Sequence, residues 1–304
     1  MTLVNMGNSE TTKGYIYGLF AFGIWGLFPL YWHILDDVDA VEIIAHRALW
    51  TIPVCAIVLI WLKTFKAALA IFKQPKLILL LCLSTALIGL NWWVYIWSVT
   101  NDAIIQASIG YFLNPLVNVL IGLLLFKEHL RRGQWVAVSL AAIGVLISTV
   151  SSGEPPWIGL ILAFSFGAYG AIRKMISVDS VPGLFIETLL VAPLALGYLI
   201  WLEFNGVGSF SNINTTTDLA LMGAGIMTAV PLFSYIASAR RLPISTVGML
   251  FYITPSCLFL LATFLYDEPV TTIDLITFGF IWVAIAVFTI ERQHNAHKNR
   301  ETVI

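Results

Sequence analysis

Long runs of apolar residues, separated by short polar connectors, follow one another along the whole chain. They lie at 14–34, 42–62, 77–98, 103–126, 134–150, 157–172, 182–202, 218–238, 244–266 and 272–290. Most are long enough for the helix of about 20 residues that crosses the hydrocarbon of a bilayer. A helix also pairs its backbone donors and acceptors internally, as lipid requires. The pattern therefore predicts an all-α polytopic membrane protein with ten transmembrane helices.

The composition agrees with this prediction and excludes other classes of protein. Of the 304 residues, 59% are hydrophobic and 11% are charged, whereas soluble domains average about 25% charged residues. The net charge of −1 provides no basic surface, so no nucleic-acid partner is expected. The cysteines, Cys55, Cys82 and Cys257, lie inside apolar runs without the spacing of metal ligands. We therefore expect neither a metal nor a cofactor.

The positions of Lys and Arg predict the orientation of the helices. Fifteen of the 16 cationic residues fall in the tails and in alternate connectors, and the intervening connectors carry only acidic charges. The remaining cation, Arg47, lies inside the second run. Because positively charged loops stay in the cytoplasm, both termini are predicted to be cytoplasmic and the number of spans to be even. The predicted cytoplasmic tails are 1–13 and 291–304.

The chain contains an internal duplication. At an offset of 140 residues, the sequence around Tyr95, Pro115 and Glu128 recurs around Tyr235, Pro255 and Glu268, and at an offset of 144 the segment 20–26 recurs at 164–170. We predict a first repeat over 14–150 and a second over 157–290, each with five helices. Because five is odd, the second repeat would enter the membrane from the opposite side. Inverted repeats are typical of transporters that expose a midplane site alternately to each side.

Several runs resemble a known family. These are EIIAHRALW (42–50), NWWVYIWSVTNDAIIQASIGYFLNPLVN (91–118), PWIGLILAFSFGAYGAIRK (156–174), ETLLVAPLALGYL (187–199) and RLPISTVGMLFYITPS (241–256). They resemble the RarD family, which is of the EamA type within the drug/metabolite transporter superfamily. The resemblance implies ten helices in two inverted EamA repeats in a bacterial inner membrane. The family usually has a carboxylate where this chain has Gln106, and often a Gln at Phe251, so a proton-binding acid at position 106 is not implied.

Charged residues inside a span cost about 2.5–3.5 kcal/mol each, so they need partners or a wet cavity. Glu42 and His46 share a helix face at a spacing of four residues, and Arg47 follows. Either this trio lines the external mouth of a pathway, or Arg47 reaches the headgroups and Glu42 only ends a helix. Glu187 is the counterpart of Glu42 at an offset of 145. We predict that these four residues serve gating or coupling, with a structural hydrogen bond as the alternative for Glu187.

A second group of polar and aromatic residues is predicted to line a substrate cavity. Asn91, Tyr95 and Ser98 form one polar stripe at helical spacing. Pro115 and Pro255 each leave a backbone carbonyl without its helical hydrogen bond, close to other residues of this group. For Asn114 and Asn118, hydrogen bonding between helices is an equal alternative. The predicted cavity residues are Trp25, Asn91, Trp92, Tyr95, Ser98, Gln106, Tyr111, Asn114, Asn118, Tyr169, Tyr235, Ser238 and Tyr252.

The predicted function is secondary transport of a small organic metabolite or drug-like solute, by an exporter or exchanger. Protons are the candidate coupling ion, lipid is the surrounding partner, and a monomer is favoured. One alternative is a prenyltransferase-like membrane enzyme, for which LDDVDA (35–40) would supply a weak Asp-rich motif; the lack of external cations disfavours it. The other alternative, a channel, would need a continuous polar lining.

Overall fold

The structure is a computed structural model that describes residues 2–100, 104–153, 157–265 and 270–301. For Gln106 and some other helical residues in these ranges only the backbone is described. The helices in chain order are α1 (Thr2–Gly26), α2 (Phe28–Trp32), α3 (Ala40–Trp61), α4 (Phe65–Ala70), α5 (Pro75–Thr100), α6 (Ile104–Leu124), α7 (Arg132–Ser152), α8 (Trp157–Met175), α9 (Ser180–Phe204), α10 (Thr215–Arg241), α11 (Ile244–Phe251), α12 (Ile253–Phe264) and α13 (Thr272–Glu301). Two short 3₁₀ turns follow α2 and α4, at His33–Leu35 and Ile71–Lys73.

Within the described part of the chain, eight helices are long and apolar enough to cross a membrane. A ninth is added if the bent pair Ser9–Gly26 and Phe28–Leu35 forms one span. The predicted run 103–126 corresponds to α6, of which Tyr111–Leu124 is the part described with side chains; this part is an apolar helix shorter than a full span. The chain is thus an all-helical membrane protein with eight or nine candidate spans, and the tenth remains a prediction.

Prolines explain two places where a predicted run is divided. The first run bends by 46° between Gly26 and Phe28, because the ring of Pro29 clashes with the carbonyl four residues earlier. The run 244–266 is divided at Tyr252, between α11 and α12, three residues before Pro255. By contrast, α6 continues through Pro115.

The helices form two compact units, which we call unit 1 (Met1–Trp97 with Ala168–Leu242) and unit 2 (Ser98–Gly167 with Pro243–Ile304). Each unit combines segments from both predicted repeats. The two repeats are defined by similarity in sequence and the two units by packing. The boundaries of the repeats therefore stay a prediction.

In unit 1, α10 packs against both α1 and α3, and α3 also packs against α9. Helices α3 and α9 approach closely because buried alanines line their contact: Ala45 and Ala48 on α3, and Ala195 on α9. The start of α3 lies near the later part of α9, since the Tyr198 hydroxyl is 3.5 Å from Asp39 Oδ1. The ring of Phe65, beyond the end of α3, lies 5.6 Å from that of Phe185 in the first part of α9. The two helices are therefore antiparallel.

In unit 2, α7 packs along α13, and α6 packs along α11. The core contains Ala137 and Ala141 of α7, Ile281 and Ala284 of α13, and Tyr252. The α7–α13 contact is close enough that a Cβ at Gly144 would lie 3.1 Å from the carbonyl oxygen of Thr277. Small residues thus set the helix spacing in both units.

Candidate functional site

Glu42 connects the start of α3 to the loop between α9 and α10. Asp39 caps the helix by accepting from the amides of Val41 and Glu42, which positions the Glu42 side chain in the first turn. Its carboxylate is 2% exposed and accepts from Ser209 N at 2.7 Å, Ser209 Oγ at 2.9 Å and Phe210 N at 3.3 Å. Hydrogen bonds to a charged group contribute about 1.5–3 kcal/mol each. Glu42 therefore latches this loop to α3.

His46 lies one turn further along the same face of α3. The indole Nε1–H of Trp50 donates to His46 Nδ1 at 3.3 Å, and the imidazole packs against Phe210 with ring centroids 5.1 Å apart. His46 Nε2 is 3.8 Å from Glu42 Oε1. Glu42 and His46 therefore share one face of α3, and this face packs against the loop between α9 and α10 rather than against Arg47.

Arg47 points toward α10 and a pair of indole rings. Its Nε donates to Thr228 Oγ1 at 3.0 Å. The guanidinium carbon lies 5.0 Å from the ring centroid of Trp32 and 5.3 Å from that of Trp92. Both distances fall within the range of cation–π attraction, which offsets part of the cost of holding this charge among apolar helices. Trp32 was not among the predicted site residues, since it lies in an apolar run rich in aromatic residues.

Glu187 on α9 is the centre of a buried polar network in unit 1. Its side chain is 3% exposed. Ser84 Oγ donates to Oε1 at 2.5 Å, and the Tyr169 hydroxyl lies 3.4 Å from Oε2. Arg173 Nη1 lies 3.6 Å from Oε1. One carboxylate therefore joins α9 to α5 and α8.

Arg173 is fully buried, although it belongs to a connector that the sequence pattern predicts to be cytoplasmic. Its Nη2 donates to the carbonyl oxygens of Asp179 at 3.2 Å and Ser180 at 3.4 Å. The guanidinium occupies the space beside Gly183 that a side chain at that position would fill. Spacing offered one signal for this network, because Tyr169 with Arg173, and Gly183 with Glu187, are each four residues apart and share a helix face.

An aromatic cluster lies beside this network in unit 1. The rings of Tyr169 and Tyr235 stack with centroids 6.4 Å apart, and Trp25 packs 5.7 Å from Tyr235. A cavity of about 20 Å³, lined by Trp92, Tyr169 and Glu187 among others, is large enough for about one water molecule. Four of the predicted cavity residues, Trp25, Trp92, Tyr169 and Tyr235, are thus parts of one aromatic region.

Unit 2 contains a separate group of predicted residues. Asn118 Nδ2 donates to Asn114 Oδ1 at 3.3 Å on α6, and the ring of Tyr111 stacks on that of Phe251 at 6.4 Å. The Tyr252 hydroxyl donates to the carbonyl of Phe112 at 3.3 Å. These contacts join α6 to the break between α11 and α12.

The remaining predicted cavity residues are placed as follows. In unit 1, Asn91 is half-buried, Ser238 is buried and Tyr95 is 41% exposed. In unit 2, Ser98 is buried. The side chain of Gln106 lies outside the described residues. That all the predicted residues line one substrate cavity stays a prediction.

Glu128, just after the fourth run, has a role that the sequence pattern did not predict. Its carboxylate accepts from Ile244 N at 2.7 Å, Ser245 N at 3.1 Å and Ser245 Oγ at 2.6 Å. These amides open α11, so Glu128 caps this helix and complements its dipole. A carboxylate binding two consecutive amides and a serine hydroxyl repeats the arrangement around Glu42.

The architecture and these buried polar networks define a polytopic membrane protein, and comparison with known proteins gives its class. Residues 12–150 match the EamA-like transporter family. The uncharacterized transporter YojE of Bacillus subtilis is 44% identical over 288 residues, which cover 93% of this chain and 96% of the relative. Protein RarD of Escherichia coli is 38% identical over 286 residues, covering 94% and 97%.

The chain belongs to the EamA-like transporter family and is a homologue of the bacterial RarD proteins. A crystal structure that is 16% identical in sequence has the same fold, with a TM-score of 0.71 over 92% of this chain and 98% of the other. The resemblance noted in the sequence is thus confirmed. Because the homologues are transporters, the chain is a transporter and not an enzyme, and the prenyltransferase alternative is wrong.

Proposed function

We propose that this transporter moves a small organic metabolite or drug-like solute across the bacterial inner membrane by alternating access between two inverted repeats, as an exporter or exchanger. Both termini would face the cytoplasm, and the tenth span would include α6. The orientation follows from the distribution of Lys and Arg.

One observation supports the inverted repeats most directly. Glu42 and Glu187, which the internal duplication relates at an offset of 145, lie on the antiparallel helices α3 and α9. Ala195 packs against Ala45 and Ala48, so at 1.5 Å per residue the two carboxylates are roughly 20 Å apart along the helix pair. Corresponding residues at opposite ends of one helix pair are what an inverted duplication produces.

Glu42 and Glu187 are the candidates for two gates on opposite sides of the membrane. Glu42 holds the loop between α9 and α10, on the proposed external side. Glu187 holds α5, α8 and α9 together toward the proposed cytoplasmic side. Releasing one network while the other stays closed would expose the region between them to one side at a time. Glu42, His46 and Glu187 are the candidate proton carriers.

The aromatic side chains that α1, α8 and α10 contribute to unit 1 favour an amphipathic or aromatic solute. The rings of Trp25, Tyr169 and Tyr235 offer flat apolar surfaces, which pack well against rings of a ligand. Arg47 beside Trp92 adds one positive charge near the same helices. A small inorganic ion would gain little from such walls.

Counterflow in proteoliposomes tests the proposal. The purified protein is reconstituted and preloaded with members of a metabolite and drug panel, and uptake of the labelled compound is measured with and without a pH gradient. A carrier gives saturable uptake that preloading accelerates. Flux that rises linearly with concentration, without acceleration by preloading, would support a channel and contradict alternating access.

A further inference from the structure

The connector from α3 to α5 has no role in the proposed transport mechanism. It joins two candidate membrane spans and therefore lies at the membrane surface; we call residues 63–76 the surface segment. Lys63 has a left-handed φ of 58°, and the amide of Thr64 donates to the carbonyl of Leu59 at 2.9 Å. These features end α3 in a Schellman turn. The chain thus leaves the span abruptly, and α4 begins at Phe65.

One face of the surface segment is packed against the protein. Ala68 on α4 is 0% exposed, and Ile71 in the 3₁₀ turn that follows is 6% exposed. Residues three positions apart share a helix face, so these two side chains define the buried side. Helix α4 packs against α9. The segment is therefore held in place by packing, and its other sides face away from the protein.

The exposed sides of the segment are of two kinds. Leu69 and Phe72, three positions apart, are 43% and 47% exposed and form an apolar side. Lys66 and Lys73, seven positions apart, are exposed, and helical spacing places them opposite the buried side. Trp61, at the end of α3, is 81% exposed, as is typical of a residue in the aromatic belt of a membrane. An apolar side next to a cationic one is the pattern of helices that lie in the membrane interface.

The charge of the segment is entirely positive. It carries four lysines, all of them exposed: Lys63, Lys66, Lys73 and Lys76. The chain has no Asp or Glu between Glu42 and Asp102, and none of the ion pairs among the described residues includes one of these lysines. A soluble anion would satisfy the lysines alone, whereas Leu69 and Phe72 require an apolar phase beside them. An anionic lipid surface provides both.

We propose that the surface segment binds anionic phospholipids. The lysines contact the phosphates of headgroups such as phosphatidylglycerol, and Leu69 and Phe72 lie against the first carbons of the acyl chains. Each lysine close to an anionic membrane surface contributes roughly fivefold in affinity. This interaction is separate from the proposed transport function, because lipid binding is measured without a transported substrate and does not depend on the orientation of the chain.

Native mass spectrometry of the full-length protein in detergent tests the choice of lipid. We expect dioleoyl phosphatidylglycerol to be retained at about tenfold lower concentration than dioleoyl phosphatidylcholine, whose headgroup has no net charge. Replacing Lys66, Lys73 and Lys76 together by Gln should abolish this preference, and replacing the same three by Arg should preserve it. The matched control replaces Lys127, Arg131 and Arg132, which are exposed in another connector, by Gln.

The control variant should keep the preference of the wild type. Equal retention of the two lipids by the wild type, or a preference that survives the change of Lys66, Lys73 and Lys76 to Gln, would overturn the proposal. The same loss in the control would also overturn it, since the lipid would then respond to total charge rather than to this segment. None of these results bears on counterflow, so the proposed transport function succeeds or fails separately.

Spin labels test how the segment lies in the membrane. Single cysteines at Phe72 and at exposed Ala70, in a background without the three native cysteines, are labelled in proteoliposomes that contain phosphatidylglycerol. Oxygen concentrates among the acyl chains, and a nickel chelate stays in water. We expect the label at Phe72 to be more accessible to oxygen and the label at Ala70 to be more accessible to nickel. High nickel accessibility at both positions would show that the segment lies in water and would overturn the proposal.

Discussion

Arg173 Nη1 lies 3.6 Å from Oε1 of Glu187, and the two side chains are 0% and 3% exposed. A buried pair of this kind is costly to break, because removing one partner leaves the other charge without compensation. Replacing both partners is often far less destabilising. Substitutions of these two residues therefore test how much the pair contributes to the stability of unit 1.

We expect Glu187→Gln to reduce the free energy of unfolding by about 3–5 kcal/mol, since Arg173 would keep its charge without a counterion. Gln retains an oxygen for Ser84, so the loss of charge is isolated. The double variant Arg173→Met with Glu187→Gln should be more stable than the sum of the two single effects predicts. The measurement is SDS-induced unfolding in detergent micelles. Additive single effects would show that the two side chains are not energetically coupled.

Gly183→Ala tests the space that Arg173 occupies. A Cβ at this position would collide with the guanidinium, so we expect overpacking to cost about 1–3 kcal/mol. Gly197 lies on the same helix with nothing within 4 Å of its Cβ position, and Gly197→Ala should instead stabilise the protein by up to about 1 kcal/mol. Thermal unfolding of both variants checks the pair. The same change in melting temperature for both would contradict the close packing of Arg173 beside Gly183.

Glu42→Ala should release the loop between α9 and α10. Ser209 N, Ser209 Oγ and Phe210 N would lose their acceptor, at about 1–3 kcal/mol for the groups left unsatisfied. We expect at least tenfold faster modification of a cysteine at exposed Asn212 by a maleimide that does not cross membranes. The background lacks the three native cysteines. Asp37→Asn is the control, and an unchanged rate in Glu42→Ala would disprove the latch.

Glu128→Gln tests the cap on α11. The carboxylate binds the amides of Ile244 and Ser245 as well as the Ser245 hydroxyl, so losing its charge should cost about 1–2 kcal/mol. Ser245→Ala removes one donor to this carboxylate. It should therefore destabilise the Glu128→Gln variant less than it destabilises the wild type. Lys127→Gln changes the neighbouring exposed residue and serves as the control. The readout is again unfolding in SDS, and a neutral Glu128→Gln would refute the cap.

Cysteine labelling tests the proposed inversion of the repeats. His129, one residue after Glu128, and Thr271, near the corresponding position of the second repeat, are both exposed. In cells, a single cysteine at Thr271 should react with an impermeant maleimide, and one at His129 should react only after the membrane is permeabilised. Labelling of both positions from the same side would contradict opposite orientations of the two repeats.

The sequence alone determined the elements and their class. Apolar runs interrupted by short connectors specify membrane helices, because lipid offers no partners to an open backbone, and the observed helices begin and end within a few residues of most runs. The common face of Glu42 and His46 followed from their spacing, since helical geometry is local. Resemblance over nearly the whole chain identified the family before any contact was known.

The tertiary structure decided which polar groups meet. Ser84 lies in an apolar run and Arg173 in a predicted connector; helical spacing relates Arg173 to Tyr169, but it does not relate either Ser84 or Arg173 to Glu187. The latch from Glu42 to Ser209 and the cap from Glu128 to Ile244 join residues more than 100 positions apart. Hydropathy and helical spacing describe neighbours along one helix. Contacts between helices depend on how whole surfaces of small and large side chains fit together, and only the packed structure contains that information.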